Sequence, residues 1–368
     1  MARGRGGKAL KNDSIVIVCE GTETEFPYFQ EMCKFTNLTW RIVPVLSERV
    51  NAEAKAARQA VMRILKDGDP SVYTGPEYYV GLAEVDQATY EQFKSEPTRW
   101  VRAAQLYKER EGYYEAWAVY DLDQGRDSAH PEARALAEQV SDLHIAFSAY
   151  SFEEWLLLHF ERNPKAFSHS ECKSEEDIKC GHKDCEAEWN CHGETCIGGR
   201  LRECKYISEY EKKDGAKVVA ITREKLHEAY VNAAWSRSLS ADEVYKCNPY
   251  TDVDKLVMRL LQDEYDIKWL KLGEEFENAG SVYKLAIDEE GLLKIQYLRG
   301  KAVGVIAADN IYWCNNEYNK IQSACSGVNI NLQASKCEAE LCNKPVGAAI
   351  LCITDRVGQT KREYYFEC

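Results

Sequence analysis

Continuous apolar runs alternate with amphipathic stretches over the first 160 residues of the chain. Runs rich in β-branched and aromatic residues occur at 14–19, 40–46, 113–120 and 145–149. Segments with helical spacing occur at 25–35, 52–66, 131–143 and 152–160. Such runs are typical of strands buried on both faces of a parallel sheet, and Pro44 puts the second strand at an edge or bulge. The alternation predicts a doubly wound α/β sheet with right-handed crossovers.

The pattern changes twice in the second half. Residues 168–204 are hydrophilic and dense in Cys and His, after which helical spacing returns at 218–234 and 253–262. Short β-type runs follow at 281–287, 292–298, 303–307, 348–354 and 363–366. The predicted organisation is a basic tail at 1–12, an α/β core at 13–167, an insert at 168–204, a helical completion of the core at 205–273 and a β-rich domain at 274–368.

Composition adds limits on the class of protein. No apolar run approaches the roughly 20 residues that a membrane span needs, and the basic N-terminus is not followed by the apolar stretch of a secretion signal. We therefore expect a soluble, cytoplasmic protein without a membrane partner. The net charge of −13 argues against broad adhesion to nucleic acid, but it is compatible with an enzyme that holds phosphate through metal ions.

Three carboxylates follow predicted strands. Glu20 comes directly after the first strand and is followed by Gly21, a residue suited to a sharp turn, while Asp121 and Asp123 end a later strand. Residues two apart in a strand share a face, and the carboxyl ends of parallel strands meet at one edge of a sheet. An oxygen-rich pocket of this kind suits Mg²⁺ or Mn²⁺. Either motif alone is more often a solvated loop or a helix cap.

The Cys/His-rich insert predicts structural zinc. Its candidate ligands are Cys180, His182, Cys185, Cys191, Cys196 and Cys204. Four sulfur or nitrogen ligands within a dozen residues suit tetrahedral Zn²⁺, and a metal would stabilise a segment with so little apolar material. Reactive thiols, disulfides and an iron–sulfur cluster are the alternatives. Further along, Cys314, Cys325, Cys337 and Cys342 are either another Cys₄ site or buried thiols, and Cys352 is interpreted as a buried thiol.

Five ordered segments resemble the RloB family. They are IVIVCEGTETEFPYF at 15–29, VYDLD at 119–123, SFEEWLLLHF at 151–160, YEKK at 210–213 and NPYTDVDKLV at 248–257. The resemblance implies a Toprim-like (Rossmann-like) core with Glu20 as the Toprim glutamate and with Asp121 and Asp123 as its metal-binding pair. It also implies catalytic roles for Glu153 of the third segment and for Lys213, a candidate phosphate-facing cation. His159 of the same segment is either a catalytic residue or a buried, hydrogen-bonded core histidine.

The resemblance also implies a function. RloB proteins are found in bacterial anti-phage and restriction-linked loci, often beside an ATPase of the ABC/SMC type. The hypothesis is a Mg²⁺- or Mn²⁺-dependent nuclease that hydrolyses DNA or RNA, with tRNA among the candidates. The alternatives are a non-catalytic adaptor that binds an ATPase or nucleic acid through its Cys-rich modules, and a different phosphoryl transfer on a nucleotide. No Walker A motif is present, and the sequence leaves homo-oligomerisation open.

Overall fold

The computed structural model describes residues 13–21, 23–44, 97–122, 130–168, 170, 196–207, 210–240, 243–301, 304–325, 329–332 and 338–367. The predicted helix at 52–66 lies outside these residues. Two compact units are formed, one by Met1–Ala229 with Ser240–Gln262, and the other by Tyr230–Leu239 with Asp263–Cys368. None of the described helices is both long enough and apolar enough to span a bilayer.

The first unit is built on a five-stranded sheet. Its strands are β1 (Ser14–Cys19), β2 (Thr39–Pro44), β3 (Glu115–Asp121), β4 (Leu143–Ala149) and β5 (Tyr250–Thr251), in the spatial order β2-β1-β3-β4-β5. The first four strands are parallel, and β5 is antiparallel to β4. The prediction of an α/β protein with a parallel sheet is therefore confirmed, and Pro44 lies on the outer strand of the described sheet.

Eight helices are described. They are α1 (Glu25–Met32), α2 (Thr98–Glu111), α3 (His130–Glu138), α4 (Glu153–Leu157), α5 (Ile197–Glu203), α6 (Gly215–Thr222), α7 (Leu226–Ser238) and α8 (Val253–Leu261). The sequence predicts one helix at 218–234, but a 3₁₀ turn at Arg223–Lys225 separates α6 from α7. Helical periodicity continues through this turn because a 3₁₀ turn differs little from α geometry in its spacing.

Every residue of β1 is buried, so the sheet is covered on both faces. Val16 and Val18 belong to a core formed with α2 and α3, to which Trp100 and Leu136 contribute. Ile15 and Ile17 point the other way and are also fully buried. The near-continuous apolar run that predicted this strand thus reflects burial on two sides.

An aromatic cluster holds α1 beside α4. The rings of Tyr28, Phe29 and Phe152 contact one another at centroid distances of 5.2–5.8 Å. Trp155 Nε1 donates a 2.9 Å hydrogen bond to the Tyr28 hydroxyl inside this cluster. The start of α6 also approaches α1 closely, because a Cβ at Gly215 would lie 2.3 Å from the Pro27 carbonyl oxygen. Only glycine permits this approach.

The second unit is β-rich, as the sequence predicts. One sheet has the order β12-β11-β15-β16-β6, another has β14-β9-β8-β7, and β10 pairs with β13. These strands are β6 (Tyr265–Trp269), β7 (Glu275–Asn278), β8 (Ser281–Ile287), β9 (Leu293–Gly300), β10 (Gly304–Ala307), β11 (Ile311–Cys314), β12 (Lys320–Ser323), β13 (Asn329–Leu332), β14 (Glu338–Glu340), β15 (Ile350–Val357) and β16 (Thr360–Glu367). Along β15, Leu351 and Ile353 enter one core, whereas Ile350 and Cys352 pack with residues of α7 in another.

Candidate metal centre

Glu20 and Asp121 meet at the point where the order of the strands reverses. Strand β1 pairs with β2 on one side and with β3 on the other, so a crevice opens at the carboxyl ends of β1 and β3. The Glu20 amide donates to the Val119 carbonyl oxygen at 2.9 Å and extends the ladder by one residue. In return, the Asp121 amide donates to Glu20 Oε2 at 3.0 Å. Two hydrogen bonds therefore join the ends of β1 and β3 at this edge of the sheet.

Glu25, the first residue of α1, completes a set of three carboxylates. One carboxylate oxygen from each of Glu20, Glu25 and Asp121 lies within 4.8 Å of the others, and no other group of three His, Cys, Asp or Glu ligands forms among the described residues. Glu25 lies in the first turn of its helix, where a carboxylate is favourable against the helix dipole, but the residue is only 6% exposed. In the sequence, only its position five residues after Glu20 indicated that Glu25 lies near this site.

Gly21, between the strand and this helix, does not adopt a left-handed backbone conformation. A Cβ at this position would lie 3.7 Å from Glu25 Oε2, an ordinary contact distance. Gly21 suits this turn, but the backbone here does not depend on the conformational freedom of glycine.

Burial and nearby negative charges disfavour the charged forms of Glu25 and Asp121. Burial, together with the negative charge of Glu153, raises the pKa of Glu25 to about 7, although backbone hydrogen bonds and the charge of Lys212 oppose the shift. Burial also raises the pKa of Asp121 well above its usual range, with added repulsion from Glu25, Glu20 and Glu153. Asp121 Oδ1 is buried without a hydrogen-bond partner in the described part of the chain. This donor set fits a divalent cation, which would neutralise the repulsion and coordinate the unpartnered oxygen.

Glu153 lies next to this pocket and is fully hydrogen-bonded. Ser151 Oγ donates to Glu153 Oε2 at 2.7 Å, and the Tyr210 hydroxyl donates to Oε1 at 3.0 Å. Lys212 Nζ lies 3.3 Å from the same Oε1. The sequence segments at 151–160 and 210–213 thus converge on one carboxylate. Because its oxygens already have partners, Glu153 supports the pocket rather than supplying a vacant ligand.

The two adjacent lysines of the 210–213 segment lie in different places. Lys212 is 23% exposed and pairs with the buried Glu153. Lys213, the cation expected from the sequence, is 76% exposed, and its Nζ lies 3.1 Å from Glu23 Oε1. The structure therefore brings Lys212, and not Lys213, to Glu153.

His159 and Glu154 are core residues. His159 Nδ1 lies 2.9 Å from the Trp155 carbonyl oxygen, and burial lowers the pKa of this histidine to about 3. The ring is therefore neutral and donates to that oxygen. Both carboxylate oxygens of Glu154 accept hydrogen bonds from Asn163 Nδ2. Neither side chain belongs to the group of three carboxylates.

Several predicted ligands lie outside the described residues: Asp123, Cys180, His182, Cys185, Cys191 and Cys337. The zinc site therefore stays a prediction. Cys196 and Cys204 are described, and they flank α5 at its two ends. The seven helical residues between them correspond to eight steps along the axis, or about 12 Å, which is too far for both to bind one zinc ion.

The described C-terminal cysteines do not form a three-ligand group. Cys314 and Cys352 are buried, while Cys325 and Cys342 are partly buried. Burial raises the pKa of Cys325 to about 11, so this thiol remains protonated. The interpretation of Cys352 as a buried thiol is confirmed.

Comparison with known proteins identifies the family of the chain. A family model described as RloB-like protein matches residues 15–260 of the chain. No curated protein and no solved structure gives a significant match. The matched region contains β1, β3 and α4, with Glu20, Asp121 and Glu153. The chain belongs to the RloB-like protein family.

Proposed function

We propose that this protein is a divalent-metal-dependent phosphodiesterase that cuts nucleic acid. The observation that carries the proposal is the convergence of Glu20, Glu25 and Asp121 at the switch point of a parallel sheet. Clustered carboxylates in a crevice of this kind are a common way to hold Mg²⁺ or Mn²⁺. The raised pKa values of Glu25 and Asp121 mark a site at which a cation is favoured.

Glu20, Glu25 and Asp121 would hold the cation, together with the predicted ligand Asp123. When bound, Mg²⁺ or Mn²⁺ would polarise a scissile phosphate and lower the pKa of an attacking water. Glu20 is anchored to the Asp121 amide and so has one defined orientation. A carboxylate held in one orientation is already placed to bind the cation, so the site does not need to reorganise when the cation binds.

Lys212 is our candidate for the phosphate-facing cation. Lys212 is the positively charged group whose field lowers the pKa of Glu25, and its ammonium is paired with the buried Glu153. Glu153 in turn accepts from Ser151 and Tyr210, so the position of the lysine is fixed through a fully satisfied carboxylate. A positioned ammonium would stabilise the negative charge that develops on phosphate oxygens.

Two further parts of the proposal rest on the family: the Toprim-like identity of the sheet, and a role in anti-phage defence beside an ABC/SMC-type ATPase. A third part, the zinc-binding insert at 168–204, rests on the Cys and His spacing of the sequence. The parallel order β2-β1-β3-β4 is compatible with the first.

The test is a cleavage assay on plasmid DNA and on tRNA with Mg²⁺ or Mn²⁺, with and without EDTA. The double substitution Asp121→Asn, Asp123→Asn should abolish cutting while the melting temperature is unchanged or higher, because repulsion in the pocket is removed. Glu109→Gln, at an exposed carboxylate on α2, is the control and should cut normally. Retained cleavage by the double variant would contradict the assignment. Inactive wild type in every divalent ion, combined with tight binding to an ATPase or RNA, would favour the adaptor alternative.

A further inference from the structure

A second group of polar side chains lies on the other face of β3. Tyr120 immediately precedes Asp121, so its side chain points to the opposite side of the sheet. The Tyr120 residue is completely buried, and its hydroxyl has no hydrogen-bond partner among the described residues. A buried polar atom without a partner is uncommon in folded proteins and calls for a physical reason.

Arg134, on α3, supplies the second part of this group. Its Nε and Nη2 are buried and have no hydrogen-bond partner in the region that the structure describes. The nearest carboxylate contact is Asp252 Oδ2, at 3.8 Å from Nη2, which is beyond hydrogen-bonding distance. The other oxygen of Asp252 already accepts from Tyr250 and Lys255. Arg134 is thus incompletely neutralised.

The two side chains flank the same ring. The Tyr120 ring lies 5.8 Å from that of Phe147, and the Arg134 guanidinium carbon lies 5.6 Å from the Phe147 centroid. His130 contacts both Tyr120 and Phe147 from α3. A tyrosine hydroxyl can donate one hydrogen bond, and that of Tyr120 has no acceptor among the described residues. Two kinds of donor therefore face a common aromatic surface.

The donors without partners are of the kinds that bind oxyanions. Nε and Nη2 form one side of the planar guanidinium fork, which binds two oxygens of a carboxylate or phosphate side by side. Lys255 and Arg134 together carry one more positive charge than Asp252 removes. With the Tyr120 hydroxyl there are three donors, which suits a phosphate better than a carboxylate because a phosphate offers more oxygens.

We propose that Tyr120 and Arg134 form a phosphate-binding pocket on the face of the sheet opposite the carboxylate pocket. The ligand is a phosphoryl group, either of a free nucleotide or of a nucleic-acid strand. The pocket does not depend on the proposed nuclease function, because it is defined by binding and involves neither metal ligands nor cleavage. Its phosphate would satisfy the Tyr120 hydroxyl and both guanidinium nitrogens.

The experiment measures binding to the full-length protein in EDTA, so that a metal site cannot contribute. Inorganic phosphate, adenosine monophosphate and a short single-stranded oligonucleotide are titrated by calorimetry, and melting temperature is followed at constant ionic strength. We expect phosphate to raise the melting temperature, because a ligand that binds only the folded state stabilises it. Stronger binding of the mononucleotide or of the oligonucleotide identifies the source of the phosphate.

Variants separate the pocket from general charge effects. Tyr120→Phe keeps the shape and should weaken phosphate binding about tenfold, and Arg134→Met should weaken it about 100-fold. Lys108→Met is the control: Lys108 lies in the last turn of α2, where its exposed ammonium donates to the Ser141 carbonyl oxygen, and the variant should bind as wild type does. Three results would each overturn the proposal. They are no phosphate binding by the wild-type protein, phosphate affinities of Tyr120→Phe and Arg134→Met equal to that of the wild type, or acetate binding as tight as phosphate binding.

Discussion

Asp121 and Tyr120 are consecutive residues at the carboxyl end of β3, and their surroundings differ in charge: carboxylates surround Asp121, whereas Tyr120 lies near both Arg134 and Asp252. On one face, Asp121 lies with Glu20 and Glu25, and the nearby Glu153 adds a fourth carboxylate. On the other face, Tyr120 lies beside Arg134 among aromatic rings. The period-two alternation of a strand allows one sheet edge to hold an acidic pocket and a basic one. Burial, which makes unpaired charge costly, predicts that each pocket prefers a ligand of the opposite sign.

The largest expected effect is on metal binding. Glu25→Gln or Asp121→Asn should weaken Mn²⁺ binding by about 100-fold or more, because cation affinity in oxygen sites depends on the number of charged ligands. Arg134→Met should leave Mn²⁺ affinity unchanged within about twofold. Calorimetric titration of the EDTA-stripped protein measures both. Equal losses in all three variants would show that the two pockets are not independent.

The next largest expected effect is on the cleavage rate, in which substitutions of Lys212 and Lys213 should differ. Lys212→Met should slow cleavage about 100-fold, since a positioned charge on the phosphate is lost, and Lys212→Arg should recover part of that rate. Lys213→Met should change the rate by no more than about twofold, because an exposed ion pair contributes little. Single-turnover rates at saturating Mn²⁺ measure the effect. A larger loss in the Lys213 variant would support the residue that the sequence favoured.

The acidic pocket should also be visible in the pH dependence of stability. The pKa of Glu25 is raised to about 7 in the folded protein, so the folded state binds the proton more tightly than the unfolded state. Its contribution is present below the unfolded pKa of about 4.5 and is lost as pH rises through 7. We expect a loss on the order of 3 kcal/mol in the free energy of unfolding of the metal-free protein.

Urea unfolding in EDTA at a series of pH values measures this loss. Glu25→Gln should remove the Glu25 part of the slope, whereas Arg134→Met should retain it. An unchanged slope in Glu25→Gln would assign the repulsion to other groups.

The smallest expected difference concerns two tyrosine hydroxyls. Tyr28→Phe should cost about 1–2 kcal/mol of stability, because the buried Trp155 Nε1 loses its acceptor. Tyr120→Phe removes a hydroxyl without a hydrogen-bond partner in the described chain, so stability in phosphate-free buffer should change by less than about 0.5 kcal/mol. Equal destabilisation by both substitutions would show that the Tyr120 hydroxyl has a structural role.

The sequence pattern predicted an element correctly where burial of its apolar residues alone decides the structure. The buried strands at 14–19 and 145–149 and the short strands of the second unit follow from period and composition. The helix predicted at 218–234 is divided at Arg223–Lys225, because a short 3₁₀ turn leaves almost no trace in apolar spacing. The close approach at Gly215 was equally inaccessible, since it depends on a carbonyl nearly 190 residues earlier in the chain.

The candidate site shows the same division between local and tertiary causes. The sequence by itself determined that Glu20 and Asp121 end parallel strands, because a strand's carboxyl end is fixed by where its apolar run stops. It also indicated the family through five ordered segments. Only the tertiary structure decided that Glu25 joins these carboxylates, that Lys212 rather than Lys213 reaches Glu153, and that Arg134 lies beside Tyr120. Those choices depend on which helix face packs on which strand, a property of contacts between distant residues.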